Sequence, residues 1–167
     1  MNIFIIGFMG SGKSTIAKIL SERTKMEYVE TDAMIVGQEG KSIADIFETD
    51  GEDYFRDVET GILKQLEGQL DGKIVSCGGG IVLRKQNVES MKRNGRIVLL
   101  TAEPDSILER VRSSRERPIL NDHMNVPYIR GLMEKREPYY RAAADFVVRT
   151  DGKSKEEIVR EILELMG

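Results

Sequence analysis

The sequence predicts an α/β protein built on one parallel sheet of five short strands. Short continuous apolar runs alternate along the chain with stretches whose apolar residues recur every three or four positions. Continuous apolar runs are typical of strands buried on both faces, as happens when helices cross between parallel strands. A glycine-rich loop also follows the first run and leads directly into a helical pattern. A chain of 167 residues is most simply organised as one domain.

Five segments are predicted as strands because each is short, apolar and bounded by glycine, a polar turn or a helix start. They are 2–6, 27–30, 73–77, 96–101 and 145–149.

The helices between the strands are indicated by apolar spacing and by residues suited to helix ends. Apolar residues at 55, 58, 62 and 66 recur at helical spacing. Pro104 stands where a first helical turn tolerates proline, and Ser42 is placed to cap another helix. Ser154 and Glu157 form a capping box ahead of the last helix. Each helix is expected to lay one apolar face on the sheet.

Two segments depart from simple strand–helix alternation. Residues between the second and third strands are predicted to form a small substrate-binding subdomain at about 31–71. The polar and charged segment 112–125 shows no periodicity and contains Pro118, which favours a lid over an active site. The core would then comprise 1–30, 72–111 and 126–167.

Composition excludes several classes of protein. With Cys77 as its one cysteine and His123 as its one histidine, the chain can form neither an internal disulfide nor a His/Cys zinc site. A formal net charge of −3 argues against a broadly basic surface for nucleic acid. The first apolar run is too short for a membrane span and lacks the basic start of a signal peptide. We therefore expect a cytoplasmic protein that binds neither nucleic acid nor membrane.

The charges are unevenly distributed along the chain. Residues 27–71 hold thirteen acidic and three basic residues, whereas residues 110–141 hold eight basic and four acidic ones. The second segment includes the predicted lid, so arginines there are suited to closing over phosphate groups.

The loop at 7–14 matches the phosphate-binding pattern G-x-x-x-x-G-K-[ST] completely. Backbone N–H groups of such a loop turn inward around phosphates, the lysine reaches the β- and γ-phosphates, and the hydroxyl ligates Mg²⁺. An ordinary glycine turn is a weaker interpretation, because motif, strand and helix agree. A dinucleotide site would need glycine or alanine at Thr15. The candidate ATP-binding residues here are Gly10, Ser11, Gly12, Lys13, Ser14 and Thr15.

A phosphate loop alone leaves several classes open, from small-molecule kinases to GTPases and motor ATPases. The chain has no N-K-x-D stretch for guanine. Its small size, its insertion and its arginine-rich lid favour a monomeric phosphotransferase that encloses its substrate, since water would otherwise compete for the phosphoryl group.

The phosphoryl acceptor is expected near the carboxyl ends of the strands. Asp32 follows the second strand, where it would either orient a hydroxyl or cap a helix over 33–36; both interpretations stay open. The triple glycine at 78–80 favours a close approach of a ligand to the main chain over a loose turn. The other residues weighed for this site are Glu30, Arg56, Glu59, Arg117 and Arg136.

These motifs, taken in their order and spacing over nearly the whole chain, resemble the shikimate kinase family. The matching segments are the phosphate loop at 7–14, Glu30-x-Asp32, residues 40–47, Gly51-Glu52 with Phe55-Arg56 and Glu59, the triple glycine, Arg117-Pro118-Ile119-Leu120, and Arg136-Glu137-Pro138-Tyr139-Tyr140. The resemblance implies a three-layer α/β/α P-loop kinase fold with strand order 2-3-1-4-5. It also implies transfer of the γ-phosphoryl group of ATP to the 3-hydroxyl of shikimate, with Mg²⁺, on the route to chorismate and the aromatic amino acids.

The resemblance also implies residue roles. Asp32 matches the carboxylate that binds the shikimate hydroxyls and acts as base or orienter, and Lys13 and Arg117 match the residues that neutralise the phosphates. Arg110 matches an arginine that stacks on adenine. The shikimate carboxylate would lie between two arginines, and the glycine backbone would contact the ring; these residues are Arg56, Arg136, Gly78, Gly79 and Gly80. Glu59 would orient Arg56.

One departure from the family pattern concerns the metal. Members commonly have aspartate where this chain has Glu30, so Ser14 is the firmer metal ligand and Glu30 would act through a bound water. Two rival functions are compatible with a phosphate loop: another small-molecule kinase on the same scaffold, such as a gluconate kinase, and a nucleotide-binding module without catalysis. The triple glycine and the arginine pair favour shikimate over the first. Intact Lys13, Ser14 and Asp32 argue against the second.

Overall fold

The structure, a computed structural model, describes residues 1–69, 71–111 and 126–167. Its centre is a five-stranded sheet in the spatial order β2-β3-β1-β4-β5, in which every neighbouring pair is parallel. The strands are β1 (Asn2–Ile6), β2 (Glu27–Glu30), β3 (Lys73–Ser76), β4 (Gly95–Thr101) and β5 (Phe146–Arg149). The predicted fold class and strand order are confirmed, and three strands differ from the prediction by one residue at one end.

The described residues form eight α-helices and one 3₁₀ turn. They are α1 (Lys13–Thr24), α2 (Thr31–Glu39), α3 (Ile43–Thr49), α4 (Glu52–Glu67), the 3₁₀ turn Ile81–Leu83, α5 (Lys85–Asn94), α6 (Pro104–Val111), α7 (Val126–Ala143) and α8 (Lys155–Met166). Among them, no helix is long and apolar enough to span a membrane.

The sheet buries apolar side chains on both faces, which explains why its central strands are continuously hydrophobic. In β1, Phe4 and Ile6 pack with α4, α5, α6 and α7 on one side. The alternate residues Ile3 and Ile5 pack with α1 and α8 on the other side. This alternation along one strand produces the three layers.

Local end signals position several helices as expected. Ser42 Oγ accepts a hydrogen bond of 3.1 Å from the backbone N–H of Asp45 at the start of α3. Ser154 and Glu157 form the predicted capping box of α8, and Pro104 is the first residue of α6. The polar side chains therefore satisfy N–H groups that have no partner within the helix.

The insertion after β2 contains α2, α3 and α4. Ile35, Ile46 and Phe55, one from each helix, belong to a small apolar cluster of their own. Leu63 and Leu66 of α4 instead join the main core. Helix α4 is thus shared by both packing units and connects the insertion to the main core. The boundaries 31–71 remain a prediction, and the predicted lid, 112–125, lies outside the described residues.

Candidate active site

Loops at the carboxyl ends of β1, β2 and β3 converge because these three strands are neighbours in the sheet. They surround a cavity of about 360 Å³. Its lining includes residues from each loop: Met9, Gly10, Gly12, Lys13, Ser14, Thr15, Glu30, Asp32, Ser76, Cys77, Gly78 and Gly79. The structure therefore brings the phosphate loop, Asp32 and two of the three glycines to one cavity.

The phosphate loop folds around its own lysine. Gly10 and Gly12 have φ angles of 82° and 95°, which side chains with a Cβ rarely adopt. Lys13 Nζ donates hydrogen bonds to the carbonyls of Gly7 and Phe8, at 2.8 and 3.1 Å. Helix α1 starts at Lys13, so its N-terminal N–H groups point towards the cavity, as anion binding requires.

Oxygen-bearing side chains meet where the phosphate loop adjoins the ends of β2 and β3. Ser14 Oγ donates to Glu30 Oε2 at 3.2 Å and lies 3.4 Å from Ser76 Oγ. Hard oxygen donors of this kind suit Mg²⁺, which usually takes one or two protein ligands together with water and substrate phosphates. Among the described residues, no group of three or more His, Cys, Asp or Glu side chains is placed to hold a metal ion. Ser14 and Glu30 therefore fit a Mg²⁺ ion that arrives with a nucleotide.

The triple glycine is the point at which the charged side chains meet. A Cβ on Gly78 would lie 2.7 Å from Asp32 Oδ1 and 2.9 Å from Glu59 Oε2. A Cβ on Gly80 would lie 2.5 Å from Cζ of Arg56. Neither glycine has a positive φ, so these positions need glycine for space. The expected close approach to the main chain is thus made by the protein's own side chains.

Arg56 is buried by its helix and its neighbours. Its side chain lies on α4, is 7% exposed as a residue, and donates to Glu59 Oε1 at 3.1 Å. The same guanidinium contacts Glu52 at 3.4 Å and lies 5.1 Å from the centre of the Phe55 ring. The predicted orientation of Arg56 by Glu59 agrees with this geometry.

Arg136 approaches the same glycines from α7. It is 6% exposed, and its Nη1 has no hydrogen-bond partner among the described residues. A Cβ on Gly79 would lie 3.5 Å from that nitrogen and 3.5 Å from the backbone nitrogen of Met9. A buried guanidinium nitrogen without a partner is costly unless an anion occupies the site. Arg136 therefore points to an anionic ligand between the glycines and the phosphate loop.

Glu59 is fully buried beside both arginines and Asp32, and this environment raises the pKa of its carboxyl group. Burial raises the pKa of Glu59 from 4.5 to about 7; Arg56 acts in the opposite direction, and the charge of Asp32 raises it further. Between about pH 5 and about 7, the folded state consequently binds more protons than the unfolded state. The free energy of unfolding must therefore fall as the pH rises through this window.

Replacing Glu59 with glutamine should remove this pH dependence. Relative to Glu59→Gln, the wild type should lose about 2 kcal/mol of unfolding free energy between about pH 5 and about 7. Urea unfolding at both pH values measures the difference. The exposed Glu48 of α3 provides the control, since Glu48→Gln should keep the wild-type pH dependence. A parallel pH profile for wild type and Glu59→Gln would show that Glu59 titrates normally.

Some expectations from the sequence need revision. Asp32 is not a helix cap, because α2 begins at Thr31 and the capping position is Glu30. Two residues near the glycines went unrecognised: Thr31 Oγ1 accepts from Gly78 N at 2.9 Å, and the Tyr140 hydroxyl donates to Gly79 O at 2.5 Å. Tyr140 could have been recognised from its spacing, because it lies one helical turn after Arg136 and therefore on the same face of the helix. The Arg110 side chain and Arg117 lie outside the described residues.

The three-layer fold and the phosphate loop, beside a polar cavity whose glycines contact two buried arginines, define a P-loop kinase of the small-molecule class. A model of the shikimate kinase family matches residues 9–167. The chain belongs to the shikimate kinase family.

Relatives agree over nearly the full length of the chain. The shikimate kinase of Dehalococcoides mccartyi is 43% identical over 161 residues, which cover 96% of this chain and 90% of the relative. The solved shikimate kinase from Acinetobacter baumannii in complex with shikimate is 31% identical with a TM-score of 0.93, covering 99% of this chain and 92% of that one. A gluconokinase from Sinorhizobium meliloti, at 20% identity, a TM-score of 0.64 and coverage of 98% and 89%, shares only the fold.

Proposed function

We propose that this chain transfers the γ-phosphoryl group of ATP to the 3-hydroxyl of shikimate, giving shikimate 3-phosphate and ADP, a step towards chorismate and the aromatic amino acids. The observation that carries the proposal is the meeting of two buried arginines and a carboxylate at the triple glycine, beside the phosphate loop. Membership of the shikimate kinase family supports it.

Shikimate fits the acceptor side because it combines one carboxylate with several hydroxyls. The planar guanidinium groups of Arg56 and Arg136 would hold the carboxylate with directional, charge-assisted hydrogen bonds. Asp32 would bind the hydroxyls and orient the one that attacks. The backbone of Gly78, Gly79 and Gly80 would lie against the ring, with Tyr140 fixing the carbonyl of Gly79.

The residues proposed to bind ATP neutralise the negative charge of its phosphates. The loop from Gly10 to Thr15 would wrap the phosphates, and Lys13 would exchange its bonds to the loop carbonyls for the β- and γ-phosphates. Ser14 would ligate Mg²⁺ directly and Glu30 through water, and the ion when bound supplies further positive charge. Arg117, which lies outside the described residues, would reach the transferred group. Arg110, whose side chain the structure does not describe, would stack on adenine.

Transfer requires alignment more than strong basicity. Asp32 would accept the proton of the attacking hydroxyl, while closure of the segment 112–125 would exclude water from the phosphoryl group. We also propose that the protein acts as a monomer and works in the cytoplasm.

A panel of acceptors tests the proposal. ADP release is measured with ATP and Mg²⁺ in the presence of shikimate, gluconate or a nucleoside monophosphate. Of these acceptors, only shikimate should give rapid turnover. Turnover with gluconate and none with shikimate would replace the function with the rival one, and no turnover with any acceptor would favour a module without catalysis.

A methyl group at position 80 should damage shikimate binding specifically. In Gly80→Ala, the new Cβ overlaps the Arg56 guanidinium, so the arginine must move away from the site. Displacing one charge-assisted contact should raise the KM for shikimate at least about tenfold, with the KM for ATP little changed. Gly61→Ala on the same helix as Arg56 is the control, because a Cβ there meets nothing within 4 Å. An unchanged KM for shikimate in Gly80→Ala would exclude Arg56 from the acceptor site.

A further inference from the structure

Two hydroxyl groups hold one oxygen of Glu30. The Tyr28 hydroxyl donates to Glu30 Oε2 at 2.5 Å, and Ser14 Oγ donates to the same atom at 3.2 Å. Tyr28 and Glu30 lie two residues apart on β2, so their side chains share one face of the strand. The carboxylate proposed to act at the metal is therefore connected both to the direct ligand Ser14 and to a residue outside the cavity lining.

Tyr28 is placed to act as a donor to Glu30. Its ring lies 5.7 Å from Lys18 Nζ, which packs over it from α1. A phenolic hydroxyl can both donate and accept, and here it donates to the carboxylate.

A glutamate side chain benefits from such a donor. Its carboxylate is reached through several rotatable bonds, and each of them costs entropy when it is fixed. A hydrogen bond from a strand neighbour offsets this cost and selects one rotamer of Glu30.

We propose that Tyr28 is a positioning residue that holds the Glu30 carboxylate against Ser14, so that the Tyr28–Glu30 pair serves the nucleotide-bound metal. This inference rests on the proposed function of the site. It assigns to Tyr28 no contact with substrate.

Tyr28→Phe tests the inference because it removes only the hydroxyl and keeps the ring. The Mg²⁺ concentration for half-maximal activity should rise roughly three- to tenfold, while the KM for shikimate stays unchanged. Calorimetric titration of ADP should show the same weakening with Mg²⁺ present and none in its absence. Tyr54→Phe is the matched control, since Tyr54 donates to Glu39 at an exposed position outside the cavity lining and should show neither effect.

A second pair of variants separates positioning from a general effect on β2. In Glu30→Asp, the carboxylate retracts from the tyrosine, so adding Tyr28→Phe should not weaken Mg²⁺-dependent ADP binding further. Equal weakening with and without Mg²⁺, an additive loss in the double variant, or wild-type Mg²⁺ dependence in Tyr28→Phe would overturn the inference. ADP binding needs no acceptor. A lack of turnover with shikimate would therefore refute the proposed function, whereas the Mg²⁺ dependence of ADP binding would still test the role of Tyr28.

Discussion

Asp32→Asn should lower kcat with shikimate roughly 10²- to 10⁴-fold, while ATP binding stays nearly intact. Asparagine keeps the size of the side chain but cannot accept the proton of the attacking hydroxyl. Asp32 lies at the cavity between the glycines and the phosphate loop, so the change removes this function without altering the phosphate site. Steady-state kinetics at saturating Mg²⁺ and ATP, together with ADP titration, measure both quantities.

The matched control for this variant is Asp45→Asn. Asp45 occupies the first turn of α3 as Asp32 does that of α2, but it is exposed and lies outside the cavity lining. Its replacement should leave kcat unchanged. Loss of ATP binding in Asp32→Asn would instead point to a metal or folding role, and an unaltered kcat would remove Asp32 from the chemistry.

Lys13→Ala should lower kcat/KM for ATP by about 10²- to 10³-fold, because it removes a fixed positive charge from the phosphates of the transition state. In this structure the ammonium already lies inside the loop, bonded to the carbonyls of Gly7 and Phe8. The KM for shikimate should change far less, since the acceptor contacts come from other elements.

Those loop bonds make a stability readout necessary for Lys13→Ala. A thermal melt reports whether the loop remains folded, and Lys155→Ala, an exposed lysine on α8, controls for loss of one positive charge. A folded Lys13→Ala enzyme with wild-type kcat/KM for ATP would contradict the assignment of the phosphate site.

The fold was largely predictable because its signals are local. Each signal depends on residues that are close together in sequence. Examples are the apolar runs, the proline at position 104 and the capping box of Ser154 and Glu157. Strand ends were less certain, since residues such as Asp145 take part in edge contacts without being in the strand. There, Asp145 Oδ2 accepts from the backbone of Ile97 at 2.8 Å, which no pattern in the chain reveals.

The two halves of the site differed in how far they could be predicted. The phosphate loop is continuous in sequence and was recognised from its motif alone. Arg56 and Arg136 are eighty positions apart, and only the family resemblance paired them before the structure placed both beside the glycines. The contacts of Tyr28, Thr31 and Tyr140 depend on strand order and helix packing, so sequence spacing could not disclose them.

The charge of the segment 27–71 also depends on packing for its effect at one site. The segment 27–71 is strongly acidic, yet it contains Arg56, an arginine proposed to bind an anion. Two of its acids, Glu52 and Glu59, contact the guanidinium and hold it in place. Net charge over a segment therefore says little about the potential at one buried site.

The central claim is that phosphate moves from ATP to one particular hydroxyl of shikimate. The most direct measurement is ³¹P NMR of the reaction of the whole chain with ATP, Mg²⁺ and shikimate, with proton coupling used to locate the new ester. We expect one phosphate ester, coupled to the proton on carbon 3, formed in equal amount with ADP. ADP formed without an ester, or an ester on another hydroxyl, would contradict the proposed reaction.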